Sequence, residues 1–119
     1  MDISSLSQEV TLLHADICSA LADPNRILIL YALDEKPHTV NELANTIGVS
    51  QPTASRHLKI LRDRGLVQAS RQGMAVEYHL NDRRLILALD TLRSVLRDRL
   101  TYAASLMETP ELPSDTKAG

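Results

Sequence analysis

The chain has no tryptophan and no phenylalanine, and Tyr31, Tyr78 and Tyr102 are its only aromatic residues. Modules that read single strands or RNA stack bases on aromatic rings, so the sequence is poorly equipped for that task. It has one cysteine, Cys18. A lone thiol excludes a disulfide framework within the chain and suits a reducing compartment. No stretch approaches the roughly 20 apolar residues needed to span a bilayer. The first residues place acids at Asp2, Glu9 and Asp16, where a secretory signal would place bases ahead of an apolar run. A cytoplasmic protein without a membrane partner is therefore expected. Also missing are a glycine-rich phosphate cradle, a nucleophile with a base nearby and paired carboxylates for a cleft, so no enzyme is expected. At 119 residues the chain is long enough for one core.

The charge that is present is unevenly placed. The net value of −2 averages an acidic first part, a basic middle and a nearly neutral end. Residues 1–50 hold seven acids against Arg26 and Lys36. Residues 51–84 hold Arg56, Lys59, Arg62, Arg64, Arg71, Arg83 and Arg84 against three acids. A polyanion responds to local field more than to the total, so the middle third is the candidate contact surface.

The pattern of apolar residues predicts mostly helices. Leu6, Val10, Leu13 and Ile17 form one stripe of a helix over about 5–21. Asp23-Pro24 starts the next, with Asp as N-cap and Pro where a missing N–H costs nothing. Its sequence, NRILILYAL, is apolar on almost every side and belongs in a core. Thr39 and Glu42 are spaced as a capping box for a short helix that Gly48 stops. After Val49, Ser50 caps a further helix running to Gly65. Two helices joined by so short a link make a helix-turn-helix. The period then drops to two: Val67, Ala69 and Arg71 alternate with polar residues, as do Val76, Tyr78 and Leu80 across Gly73. That is a β-hairpin. Asn81 or Asp82 caps a last helix, about 83–107, striped with Leu85, Leu89, Leu92 and Leu96. The expected fold is mainly α with a two-stranded β wing, a winged helix-turn-helix of order α-α-α-α-β-β-α. Residues 1–109 form its single domain, and 110–119 are an expected disordered tail.

The helix after Ser50 carries two faces. On a wheel of about 100° per residue, Ala54, Leu58 and Leu61 fall together with His57 at their edge. Pro52, Ser55, Arg56, Lys59 and Arg62 fall opposite, and Gln51 and Thr53 project from the first turn. In a helix-turn-helix this end of the second helix enters the major groove. Gln51 can pair with adenine through two hydrogen bonds, and Thr53 can offer a hydroxyl or a methyl. Ser55 permits close approach, and Arg56 can fork onto guanine or phosphate. Lys59 and Arg62 suit phosphates. The hairpin tip, with Arg71 and Gln72, can lie along the flanking backbone. An alternative is a winged-helix module that binds another protein and no DNA.

The run ALADPNRILILYAL, followed by VNELANTIGVSQPTASRHLKILRDRGLVQASRQGMAVEYHL, resembles the ArsR family of winged-helix repressors. The resemblance covers residues 20 to 80. It implies a homodimer and repression of a promoter, relieved when an inducer binds. In the family the first and last helices pair across a two-fold axis. Both helices carry apolar stripes that a chain of this size cannot easily bury alone. The partner is then a pseudo-palindromic operator in double-stranded DNA, with half-sites about 34–36 Å apart or a multiple of it.

The resemblance also raises metal sensing. Metal-sensing relatives place Cys-x-Cys on the first helix of the helix-turn-helix, where this chain has Thr39-Val40-Asn41. Others use Asp and His on the last helix, where residues 83–107 hold Asp90 and Asp98 but no His. No metal or other cofactor is expected. The leftover donors are His14 and Cys18, four residues apart, two of the roughly four ligands that zinc requires, with His38 and Asp16 as further possibilities.

Overall fold

A computed structural model describes residues 2–107; the tail expected at 110–119 lies outside the described residues. The chain divides into two compact units after Ile86.

In the first unit, α1 spans Ile3–Leu13. Asp2 caps it by accepting the Ser5 amide at 2.9 Å. The helix thus begins earlier than its apolar stripe, and it changes form before its expected end. His14–Cys18 is a single π-helical turn, in which the Ser19 amide reaches back five residues to the His14 carbonyl. Leu6 and Ile17 of the stripe are half-buried, whereas Val10 and Leu13 are exposed.

The helix α2 spans Pro24–Glu35, with Asp23 accepting the Asn25 amide at 2.8 Å. Its Ile29, Leu30 and Leu33 are buried as the sequence demands, while Leu28 stays open to solvent. The two-residue strand β1, His38–Thr39, follows. Thr39 then caps α3, Val40–Ile47, in the reciprocal manner expected: its hydroxyl accepts the Glu42 amide at 3.2 Å, and Glu42 accepts the Thr39 amide at 2.8 Å. That second bond holds the Glu42 carboxyl below its usual range. Gly48 ends α3 in the left-handed conformation at φ +76°, which lets its amide bond back to the Ala44 carbonyl at 2.9 Å. The helix α4, Gln51–Asp63, starts at Ser50.

Two strands follow, β2 Val67–Gln72 and β3 Ala75–Leu80, turning at Gly73-Met74. Val67 lies opposite Leu80, Ala69 opposite Tyr78 and Arg71 opposite Val76, so these six share one face. The hairpin has an extra partner: β1 pairs with β3, His38 opposite Tyr78 and Thr39 opposite Glu77. The sheet is therefore three-stranded in the order β1-β3-β2, where the sequence pointed only to the hairpin. A two-residue strand has no alternation to detect.

The core of this unit is Ile29, Leu30 and Leu33 from α2, Leu43 and Ala44 from α3, and Ala54, Leu58 and Leu61 from α4, with Ala20, Leu66, Val67 and Ile86. Its apolar side chains come from all three central helices, so α4 is anchored along its length.

The last helix, α5, spans Arg84–Met107, and Asp82 accepts the Arg84 amide at 2.9 Å at its start. The second unit begins within it, at Leu87. There Leu92, Val95, Leu96 and Leu100 are each more than half exposed. Among the described residues no helix is long and apolar enough to cross a membrane.

Candidate nucleic-acid interface

The sequence of α4 fixes which of its sides faces out. Ala54, His57, Leu58 and Leu61 are buried, and Gln51, Pro52, Ser55, Arg56, Lys59 and Arg62 are all exposed. The Ser50 hydroxyl oxygen accepts the Thr53 amide at 3.3 Å. Ser50 also donates to the Thr53 hydroxyl at 3.0 Å, which leaves the Thr53 proton free to be offered outward. Thr53 itself is half-buried. The first turn of α4 thus presents an amide side chain and a hydroxyl, while the Thr53 and Ala54 amides are bonded to Ser50.

The cations are less evenly available than their number suggests. Arg83 is tied to Asp34 at 2.8 Å. Arg84 folds back on Asp82 at 2.7 Å and holds that carboxyl at about 2, chiefly through the side-chain hydrogen bond. Lys59 pairs with Asp63 at 2.9 Å, one turn along α4. Arg64 turns inward, donating to the backbone oxygens of Ala15 and Asp16. Among the described residues, no ion pair or hydrogen bond engages the side chains of Arg56, Arg62 and Arg71. Two of these stand on the exposed face of α4 and the third on the hairpin. The local excess of positive charge is therefore presented by three guanidiniums.

The hairpin carries Arg71 and Gln72 exposed next to its turn, with Met74 at the tip 97% exposed. Between α4 and the hairpin lies a groove of about 280 Å³ lined by Ser55, Leu58, Lys59, Arg62, Asp63 and Tyr78. Tyr78 is the member that sequence reasoning missed. Its place in the strand alternation marks it as a core-facing residue, and only folding brings it to a polar groove beside α4.

The donor positions that the family resemblance raised are only partly filled. Thr39 and Glu42 are consumed by the capping box, and no thiolate stands there. His14 and Cys18 both fall in the π-helical turn and both are exposed. Among the described residues no group of three or more His, Cys, Asp or Glu side chains could hold a metal ion.

A tri-helical core, a short-linked helix pair and a β-hairpin after the second helix define a winged helix-turn-helix protein. Residues 23–69 match the family described as "Bacterial regulatory protein, arsR family". The chain is 40% identical over 76 residues to the HTH-type transcriptional regulator NmtR of Mycobacterium tuberculosis, a match covering 64% of this chain and 63% of NmtR. It is thus matched over somewhat less than two-thirds of that relative's length. The crystal structure of M. tuberculosis Rv0081 superposes with a TM-score of 0.72 at 32% identity, over 80% of this chain and 96% of that one. A solution structure from Mycobacterium bovis, described as the homodimeric winged helix-turn-helix DNA-binding domain of a possible ArsR-family transcriptional regulator, superposes at 0.69 with 28% identity. It covers 80% of this chain and 90% of that one. The chain belongs to the ArsR family, a family of regulatory proteins and not of enzymes.

Proposed function

We propose that this chain is a sequence-specific DNA-binding transcriptional regulator, a homodimeric repressor that an inducer releases from a pseudo-palindromic operator. The observation that carries this is the exposed face of α4, where Gln51, Pro52, Ser55, Arg56, Lys59 and Arg62 stand opposite a wholly buried apolar face. Donors and acceptors lie in the first turn, where base edges are reached, and cations lie further along, where phosphates run. Gln51, Thr53 and Ser55 are assigned to bases, Arg56 to guanine or phosphate, and Lys59 and Arg62 to phosphates. Arg71 and Gln72 are assigned to the flanking backbone. The groove between α4 and the hairpin is lined on the α4 side by the polar Ser55, Lys59, Arg62 and Asp63. Support for the dimer comes from the bare leucines of α5 and from the M. bovis domain, which is described as homodimeric. Residues 1–109 then act as one DNA-binding and dimerisation domain. The family resemblance keeps a metal among the candidate inducers, and His14 with Cys18 would bring two donors from each chain. No cofactor is assigned.

The test is binding of the purified chain to a duplex from its own promoter, followed by fluorescence anisotropy at increasing salt. Each phosphate neutralised steepens the fall of log K with log salt by about 0.9, so a steep slope and a preference over scrambled duplex are expected. Sedimentation of the same sample should give a dimer. A chain that shows no preference between duplexes, or stays monomeric at micromolar concentration, would not be this regulator.

A further inference from the structure

The backbone of residues 15–20 is gripped by two arginines from elsewhere in the first unit. Arg64, the C-cap residue of α4, donates through Nη1 to the carbonyl oxygens of Ala15 at 2.9 Å and Asp16 at 2.7 Å, and to the Ser19 hydroxyl. That hydroxyl donates in turn to the Ala15 carbonyl at 2.7 Å. The Asp16 carboxylate stands 3.9 Å from Arg64 Nε. Arg26, on α2, donates from Nε to the Ala20 carbonyl at 2.7 Å and from Nη2 to the Ser19 carbonyl at 3.4 Å. Its Nη1 meets Nδ1 of His57, in the middle of α4, at 3.3 Å.

The position of this cluster is what gives it meaning. A π-helical turn widens the helix by one residue and disturbs the pairing of nearby carbonyls. Here those carbonyls are satisfied by guanidiniums, and a guanidinium is rigid, planar and always charged. One of the two belongs to α4 itself, and the other is bonded to α4 through His57. The helix that presents Gln51 to Arg62 is therefore tied at its middle and at its end to residues 15–20. Arg64 is also one of the seven bases of the basic segment, yet it faces the protein and is only partly exposed.

We propose that Arg64 is a positioning residue for DNA binding, which sets α4 against the π-helical turn so that any change in residues 14–20 is transmitted to the DNA-reading face. This rests on the regulator function proposed above. Coupling is reciprocal: if the turn biases α4, then DNA held by α4 must alter the turn.

The test compares the full-length chain with its Arg64→Ala and Arg64→Lys variants on the same promoter duplex. Arg64→Ala should bind about tenfold more weakly, within the usual range of coupling between sites. Its salt slope should match the wild type, because no phosphate contact has been lost. Hydrogen exchange supplies a readout that simple loss of stability would not move. Duplex should slow exchange in residues 14–20 of the wild type and leave it unchanged in Arg64→Ala, with Arg64→Lys intermediate. Wild-type affinity in Arg64→Ala, or a slope lower by about one ion, overturns the proposal; the latter would make Arg64 a phosphate contact. Should Arg64→Ala not fold, Ser19→Ala removes the shared hydroxyl alone. It should show a smaller loss of the same kind, and an unchanged affinity and exchange response would overturn the proposal equally. A wild-type chain that binds no duplex removes the regulator function itself, whereas a binding chain with an indifferent Arg64 removes only this inference.

Discussion

Arg26 Nη1 stands 3.3 Å from Nδ1 of the buried His57. A guanidinium has no acceptor, so Nδ1 is the unprotonated nitrogen and the imidazole is neutral. A proton on that ring would set two cations face to face on the buried side of α4.

Stability should therefore respond to mild acid. Burial is the main cause that pushes the His57 imidazole below its ordinary value of 6.5. Asp23 opposes the shift, while Arg26 and Arg56 add to it. With the folded value below the unfolded one, stability is complete above 6.5 and is lost as pH falls through the folded value. Urea unfolding at about pH 7.5 and about pH 5.5 should show a lower midpoint in acid, and His57→Gln should flatten the difference. An equally steep dependence in the variant would place the titrating group elsewhere.

The exposed cations should divide into those that meet DNA and those that do not. Replacing Arg56 by Ala is expected to weaken promoter binding by about 1–3 kcal/mol if it forks onto a base. Replacing Arg97, on α5, should do little. Anisotropy titrations of both variants decide the matter, and equal losses would mean that the docking face is wrongly assigned.

Gly48 should be sensitive for backbone reasons alone. A β-carbon built there meets nothing within 4 Å, yet φ is +76°. Gly48→Ala is therefore expected to lower stability by about 1–2 kcal/mol through conformational strain, with no overpacking. Gly48→Asn should cost less, because asparagine tolerates the left-handed region. The urea midpoints of the two variants would show this order.

Much of the fold was legible because its signals are local. Asp23-Pro24, Thr39 with Glu42, Gly48 and Ser50 each act within a few residues, and each caps the helix its spacing announces. The wheel of α4 was equally direct, since Ala54, Leu58 and Leu61 define a stripe that only a core can use. What was not legible depends on distant partners. Arg64 and Arg83 read as free surface cations until their acceptors, 45 to 49 positions away in sequence, are brought to them by folding. The π-helical turn at 14–18 shifts the hydrogen bonding by one residue and leaves the apolar spacing nearly unchanged. Tyr78 has the alternation of a core residue and lines a polar groove only through its neighbours.

The two-residue pairing of β1 with β3 removes a hinge that a bare hairpin would have. Thr39 begins α3 and is also stitched to the return strand opposite Glu77. The hairpin cannot swing clear of the helix pair without unzipping that stitch and loosening the start of α3. Whatever pulls on the tip at Gly73-Met74 is thus felt as leverage at the front of the helix-turn-helix, so that α3, α4 and the hairpin move as one stiff body.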